Sequence, residues 1–329
     1  MLLFLIVPSL GFSNDHYPFN LQYTHNIWTF FDHHPSSFIE RLLDYSRSVV
    51  TPDYNLTFLQ PDNLTTVLDT SLFPKTYMQL IPQHKADFLR VLLLAVYGGW
   101  WIDASTIIAS KSYIDKIVRN AQKNSVDYVL YCSKACPRKY LENGVMYAPQ
   151  GSKCAASWHK ENLRILDIGI RNYVYLVNRD GVSAPPGVFR PYPQVRIYLG
   201  FFMAIQRVIE REIPRRTPLT IMRAPKHIFK LFYDCHWDSS CYVPIAKNMT
   251  RLRNYPITKF PSRARKRIEP RNTFIPRNIT DIKPLIYSNL PSSMNQKLYQ
   301  VTFYFSLTVN LQILLLLPTI RSLLSSFFR

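Results

Sequence analysis

The sequence predicts an α/β fold with a mostly parallel central sheet, and three observations carry that expectation. Runs rich in aromatic and β-branched residues alternate with segments of helical spacing, the pattern that βα units leave in a chain. Residues 91–97, VLLLAVY, are apolar on every side, so the helix that holds them belongs inside the molecule. Of the 329 residues, 47% are hydrophobic, enough for a domain with a sizeable core.

The elements follow in order. Residues 21–30, LQYTHNIWTF, read as a strand. Residues 36–50 have helical spacing, with Ser36 or Ser37 as cap and Phe38, Leu42 and Tyr45 on one side. YNLTFL (54–59) is a strand and PDNLTTVLDTSLF (61–73) a short helix. The apolar helix then runs to Gly98 and Gly99, and WWI (100–102) is a strand. A helix is expected at 111–124, strands at 127–132 and 144–149, a helical region at 153–178, and another at 194–212 after a proline-rich turn. The compact domain is expected over 20–250, and no internal repeat is visible.

The flanks read differently. Residues 1–13 form an apolar tail with small residues at a cleavage-like spacing, read as a signal peptide or as a tail packed on the domain. Residues 251–300 read as a basic, proline-containing segment, with ten Lys or Arg between Arg251 and Lys283. Residues 301–320 are long and apolar enough for a membrane helix, although Asn310, Gln312 and Pro318 interrupt them. The net charge of +19 favours anionic partners, among them membrane lipids and nucleotide phosphates. No nucleic-acid recognition motif accompanies it, so a basic nucleic-acid-binding protein is the least favoured reading and no specific nucleic-acid partner is expected. Five cysteines without a CxxC pair argue against a zinc ribbon, while CSKAC and CHWDSSC have spacings that small disulfide loops would suit. Together with sequons at Asn55, Asn63, Asn248 and Asn278, they point to a membrane-associated protein of the secretory pathway, in the ER or Golgi lumen.

The chemistry concentrates in KADFLR (85–90) and GGWWIDAS (98–105). Asp87 and Arg90 stand three apart and therefore on one helix face. Charges on so apolar a helix need partners or a ligand. Asp103 falls at the carboxyl end of the WWI strand, where open α/β sheets bind ligands. The plainer alternatives are that Asp87 and Arg90 simply pair, that the glycines cap the helix, and that Asp103 or Ser105 caps the next turn.

The same residues resemble the glycosyltransferases with a DxD sugar-binding region. That group includes fungal initiating mannosyltransferases and capsular polysaccharide synthesis proteins, and it is distantly similar to the sugar-transferring domains of clostridial toxins. Its pattern is S/A-D-x-x-R, an apolar helix, then G-G-x-Y/W-x-D-x-D/T, in the order and spacing present here. YTHNIW resembles the group's opening segment through His25, Ile27 and Trp28, and ENGVMYAPQGS (142–152) resembles a later one. PPGVFRPYPQVRIYL (185–199) is weakly similar to a further turn, so the resemblance covers residues 21–210 in patches.

The resemblance implies a GT-A-like, Rossmann-type nucleotide-sugar domain. The protein would transfer a sugar from a UDP- or GDP-sugar donor to a glycan, polysaccharide or glycoconjugate acceptor. It further implies that Trp28 stacks on the nucleobase, that Asp87 and Arg90 bind the donor, and that Gly98, Gly99 and Ser105 line the donor site. Asp103 would hold Mn²⁺ or Mg²⁺ against the diphosphate, and Glu142 and Asn143 would face the transferred sugar or the acceptor. Ser105 stands where the group carries its second aspartate and would be the weaker metal ligand. His236 is the candidate third ligand. The alternative is a catalytically impaired relative that still binds a nucleotide sugar or glycan.

Overall fold

The structure is a computed structural model that describes residues 21–132, 141–182 and 200–268. The chain divides into two compact units, Met1–Ile275 and Pro276–Arg329, the second lying wholly outside the described residues.

In chain order the elements are β1 (Asn26–Phe30), α1 (Ser37–Val50), β2 (Asn55–Leu59), α2 (Leu64–Val67), α3 (Pro82–Val96), β3 (Gly99–Ile102) and β4 (Thr106–Ile108). They continue with α4 (Lys111–Lys123), β5 (Tyr128–Cys132), β6 (Leu141–Ala148), α5 (Lys153–Ile168), α6 (Ile170–Arg179), α7 (Gly200–Arg207) and β7 (Leu219–Arg223). The last described are α8 (Lys230–Asp234), α9 (Ser239–Ala246), α10 (Met249–Leu252), β8 (Ile257–Lys259) and α11 (Ser262–Ile268).

Six strands form one sheet in the order β2-β1-β3-β6-β5-β7. The β1–β2, β1–β3 and β5–β7 pairs are parallel, and β6 runs antiparallel to both its neighbours. The expectation of a mostly parallel sheet is met, with one reversed strand. That reversal matters for the site. It brings the amino-terminal end of β6 beside the carboxyl end of β3, so Asn143 and Gly144 arrive where Asp103 leaves the sheet.

Strand alternation places the two adjacent tryptophans on opposite faces. Trp101 joins the apolar cluster built from α3, α5, α6 and α7, whereas Trp100 joins the one that contains Ile114, Ile117 and Val118 of α4. Both indoles are fully buried. The α3 helix is buried from Phe88 through Leu94, as its apolar run requires. Its C-terminus turns through Gly98 and Gly99, with φ of +64° and +99°. A Cβ on Gly98 would strike the Gln150 backbone and one on Gly99 the Asn26 carbonyl, so both glycines are demanded by the packing of β1 and β6 around the turn.

Helix caps follow the sequence. Ser36 accepts the Ile39 amide at α1. At α5, the carboxylate of Asp127 accepts both the Lys153 and Cys154 amides, supplementing Ser152. The predicted helix over 61–73 shrinks to α2 and a single 3₁₀ turn at Thr70–Leu72. The predicted region 153–178 is two helices, broken at Gly169. Of the region 194–212, α7 and a π-turn at Val208–Glu212 are described, while residues 194–199 and the proline-rich turn lie outside the described residues.

The expected boundary at 250 is corrected. β8 pairs antiparallel with β4, and Leu252, Phe260, Ala264 and Ile268 are buried in an apolar cluster with Phe38, Leu42 and Ile107. Residues 251–268 are therefore folded into the domain rather than being the start of an extended basic segment. The apolar tail at 1–13 and the segment at 301–320 lie outside the described residues. Among the described residues, no helix is long and apolar enough to cross a membrane.

Candidate active site

Trp101 and Asp103 are two apart along β3 and its exit, so both point to the face that α3 covers. The Trp101 indole donates to Asp103 Oδ1 at 2.9 Å and fixes that carboxylate as it leaves the sheet. On α3, Arg90 lies over the Trp101 ring, 5.4 Å from its centroid. Its guanidinium reaches Asp87 Oδ1 at 3.1 Å, the Asn143 carbonyl at 2.8 Å and Asp103 Oδ1 at 3.5 Å. Asn143 closes the ring by donating to Asp87 Oδ1 at 3.0 Å. From α5, Asn162 donates to the Asp87 carbonyl at 3.2 Å. A helix, two strand ends and a second helix thus converge on one charged cluster.

Glu142 extends the cluster toward solvent through Lys259. The ammonium of Lys259 lies 3.3 Å from Asp103 Oδ2 and 3.7 Å from Glu142 Oε2. Exposure rises in steps across the cluster, from 7% for the Arg90 side chain through 13% for Asp87 to 24% for Asp103 and 27% for Glu142. The floor is closed and the rim is open.

The two aspartates are driven apart electrostatically. Burial pushes the Asp87 carboxyl above its ordinary range, against the pull of Arg90. For Asp103 burial also opposes ionisation, but Lys259, Arg90 and the Trp101 indole outweigh it and hold the carboxyl below the usual range.

Several expected roles change. Asp87, Arg90, Asp103, Glu142 and Asn143 do come together. Trp28 is only 7% exposed, donates its indole N–H to the Gly98 carbonyl at 2.9 Å and packs against Tyr97. It braces the end of α3, and a ring buried in that way does not offer a face for a nucleobase. Gly98 and Gly99 serve the same turn. Ser105 lies in the bend between β3 and β4, where its carbonyl accepts the Phe260 amide at 2.8 Å. His236 is exposed, with φ of +50°, in the turn closed by the Cys235–Cys241 disulfide. Nothing joins it to Asp103.

The donor set does not fit a divalent cation. Asp103 Oδ1 is engaged by Trp101 and Arg90, and Oδ2 faces the Lys259 ammonium. Ser105 supplies no charge. Among the described residues, no group of three or more His, Cys, Asp or Glu is placed to hold a metal ion. This arrangement lends no support to the metal-ligand roles expected for Asp103, Ser105 and His236.

Three contributors were not anticipated. Lys259 sits in a three-residue strand beyond the expected domain boundary, with no motif around it. Trp101 was visible only as strand filler. Gly144 allows the close approach of Lys259 to Asp103, since a Cβ there would meet both Lys259 Nζ and Asp103 Oδ2.

The model of the capsular polysaccharide synthesis protein family matches residues 13–145, which include every cluster residue except Asn162 and Lys259. No curated protein sequence matches the chain. One similar solved structure is a glycosyltransferase involved in the glycosylation of the major capsid of PBCV-1, at 12% identity over 74% of this chain and 96% of that one, with a TM-score of 0.36. Another is the PaToxG glycosyltransferase, at 10% identity over 75% of this chain and 84% of that one, with a TM-score of 0.34. The family match lies over the residues that build most of the cluster.

Proposed function

We propose that the cluster at the end of β3 binds the diphosphate and sugar of a UDP- or GDP-sugar, and that the protein transfers the sugar to a glycan, polysaccharide or glycoconjugate acceptor. The observation that carries this reading is the convergence of Arg90, Asp87, Asn143 and Asp103 at a strand carboxyl end, within the residues matched by the family. In the reaction, the bond from the sugar C1 to a phosphate oxygen breaks and its electron pair leaves on the nucleoside diphosphate. The acceptor oxygen forms the new bond to C1, and its proton passes to Glu142, the most exposed carboxylate of the cluster. The guanidinium of Arg90, pre-aligned by Asp87 and the Asn143 carbonyl, meets the negative charge that grows on the leaving group. The metal assistance implied by the resemblance is not carried into this reading, because Asp103 is already neutralised by its neighbours.

A second reading, nucleotide-sugar binding without turnover, draws on Ser105 in place of a carboxylate. Incubation with a panel of UDP- and GDP-sugars separates the two. Release of nucleoside diphosphate supports transfer, and a thermal shift without release supports binding alone. Neither release nor shift with any donor rejects both. The Cys235–Cys241 disulfide supports a secretory, oxidising location, and the acidic lipids of such a membrane would suit the chain's basic charge.

A further inference from the structure

Lys259 reaches the cluster because the backbone delivers it there. It lies opposite Thr106 in the β4–β8 ladder, its amide donates to the Ile228 carbonyl at 2.9 Å, and the next amide, that of Phe260, donates to Ser105 at 2.8 Å. The β4 strand begins only three residues after Asp103, so strand pairing ties the lysine to the same turn that carries the aspartate. Its side chain is 16% exposed, and Gly144 leaves the space it fills. The ammonium lies between Asp103 and Glu142, in the position a cation bridging these carboxylates would take.

We propose that Lys259 performs the charge-stabilising work of a divalent cation, so that the protein binds its diphosphate donor and transfers the sugar without metal. The proposal rests on the nucleotide-sugar reading above. Lys259 and Arg90 each carry one positive charge, shared with Asp87, Asp103 and Glu142 until a diphosphate takes part of it. The electron pair released from the C1–O bond settles on a diphosphate held by both. The lysine suits this task because its ammonium is a compact charge with three donors on a flexible stem, able to exchange a carboxylate for a phosphate oxygen. Asp103 and Glu142 hold it ready, and Ser105 then marks no deficit, since a third carboxylate would compete further with the phosphate for the lysine.

The test is calorimetric titration of the full chain with UDP, GDP and pyrophosphate, once in EDTA and once in Mn²⁺. Wild-type protein binds at least one of these probes in EDTA, with affinity within about twofold of that in Mn²⁺. Lys259→Met weakens that binding by about tenfold to a hundredfold, as loss of a charge-assisted hydrogen bond predicts. Lys259→Arg retains most of it. Wild-type binding that appears only with Mn²⁺ overturns the proposal and leaves the nucleotide-sugar reading standing, and this arm needs no variant to fold. Unchanged affinity in a folded Lys259→Met also overturns it. Absence of binding under both conditions overturns the proposal and the reading together.

Discussion

Among the described residues, Arg90 and Arg207 are both largely buried and ringed by acids, and they are not alike. Arg90 meets Asp87 and Asp103 at the end of β3. Arg207, on α7, meets Glu161 of α5 at 3.0 Å, Asp180 at 3.3 Å and Glu212, while the Tyr173 hydroxyl donates to Glu161 at 2.6 Å. The arginine side chains are similarly enclosed, at 7% and 10% exposure. The Arg207 group ties helices to helices, and every acid in it answers a neighbouring element of the helical layer. The Arg90 group stands where strands end and takes in the Asn143 backbone carbonyl, whereas both groups hold a further cation and open at an edge, through Lys259, Asp103 and Glu142 in one and Arg164, Asp180 and Glu212 in the other. Burial of charge alone therefore does not distinguish the two groups; position at the strand ends does.

The comparison can be broken most forcefully at the arginines themselves. Arg90→Ala leaves Asp87 and Asp103 without their shared cation, and should cost about 3–5 kcal/mol of stability as well as nucleoside-diphosphate binding. Arg207→Ala should cost a similar amount in denaturant unfolding, yet the folded fraction should bind UDP or GDP as wild type does. Loss of binding per folded molecule in Arg207→Ala would erase the distinction.

The α5 helix touches both groups, through Asn162 and Glu161, and carries a pH response of its own. His159 is 6% exposed, its Nδ1 has no hydrogen-bond partner, and burial holds its pKa down to about 4 from 6.5. Above pH 6.5 the ring is neutral in both folded and unfolded chains and adds nothing to the pH dependence. Below it, only the unfolded chain takes up the proton, so stability falls as pH drops toward about 4, by about 3 kcal/mol in all. His159→Leu, which can still pack on Phe88, should flatten that part of the curve in pH-dependent unfolding. An unchanged slope would assign the acid response elsewhere.

Gly144→Ala sharpens the comparison with the smallest change. The added methyl meets Lys259 Nζ and Asp103 Oδ2, so stability should fall by only about 1–3 kcal/mol while the lysine is displaced. Turnover should drop more than the unfolding midpoint suggests, and wild-type kinetics in this variant would show that the Lys259 position is unimportant.

Much of this was legible in the sequence. The alternation of strand and helix, the buried α3 and the meeting of Asp87, Arg90 and Asp103 follow from periodicity and from one motif whose parts are local. Glu142 and Asn143 were legible only through the resemblance. What stayed hidden depends on long-range pairing. β8 is three residues long, too short for period-two alternation to register, and its basic, proline-flanked surroundings read as an extended segment. Lys259 was therefore invisible as a site residue. Trp28 misled for the opposite reason: its place in a motif suggested a ligand, and only packing shows that its indole is used by Gly98. The reversal of β6, which brings Asn143 to Arg90, is likewise a property of the sheet and of no single segment.

The most direct test of the account is the rate of nucleoside-diphosphate release from UDP- and GDP-sugars by wild type, Asp103→Ala and Arg207→Met, normalised to folded protein. With Asp103 gone, Arg90 and Lys259 lose the carboxylate that aligns them, and turnover should fall about a hundredfold or more, while Arg207→Met should match wild type. Equal turnover in Asp103→Ala and wild type would contradict the claim that the end of β3 is where the sugar is transferred.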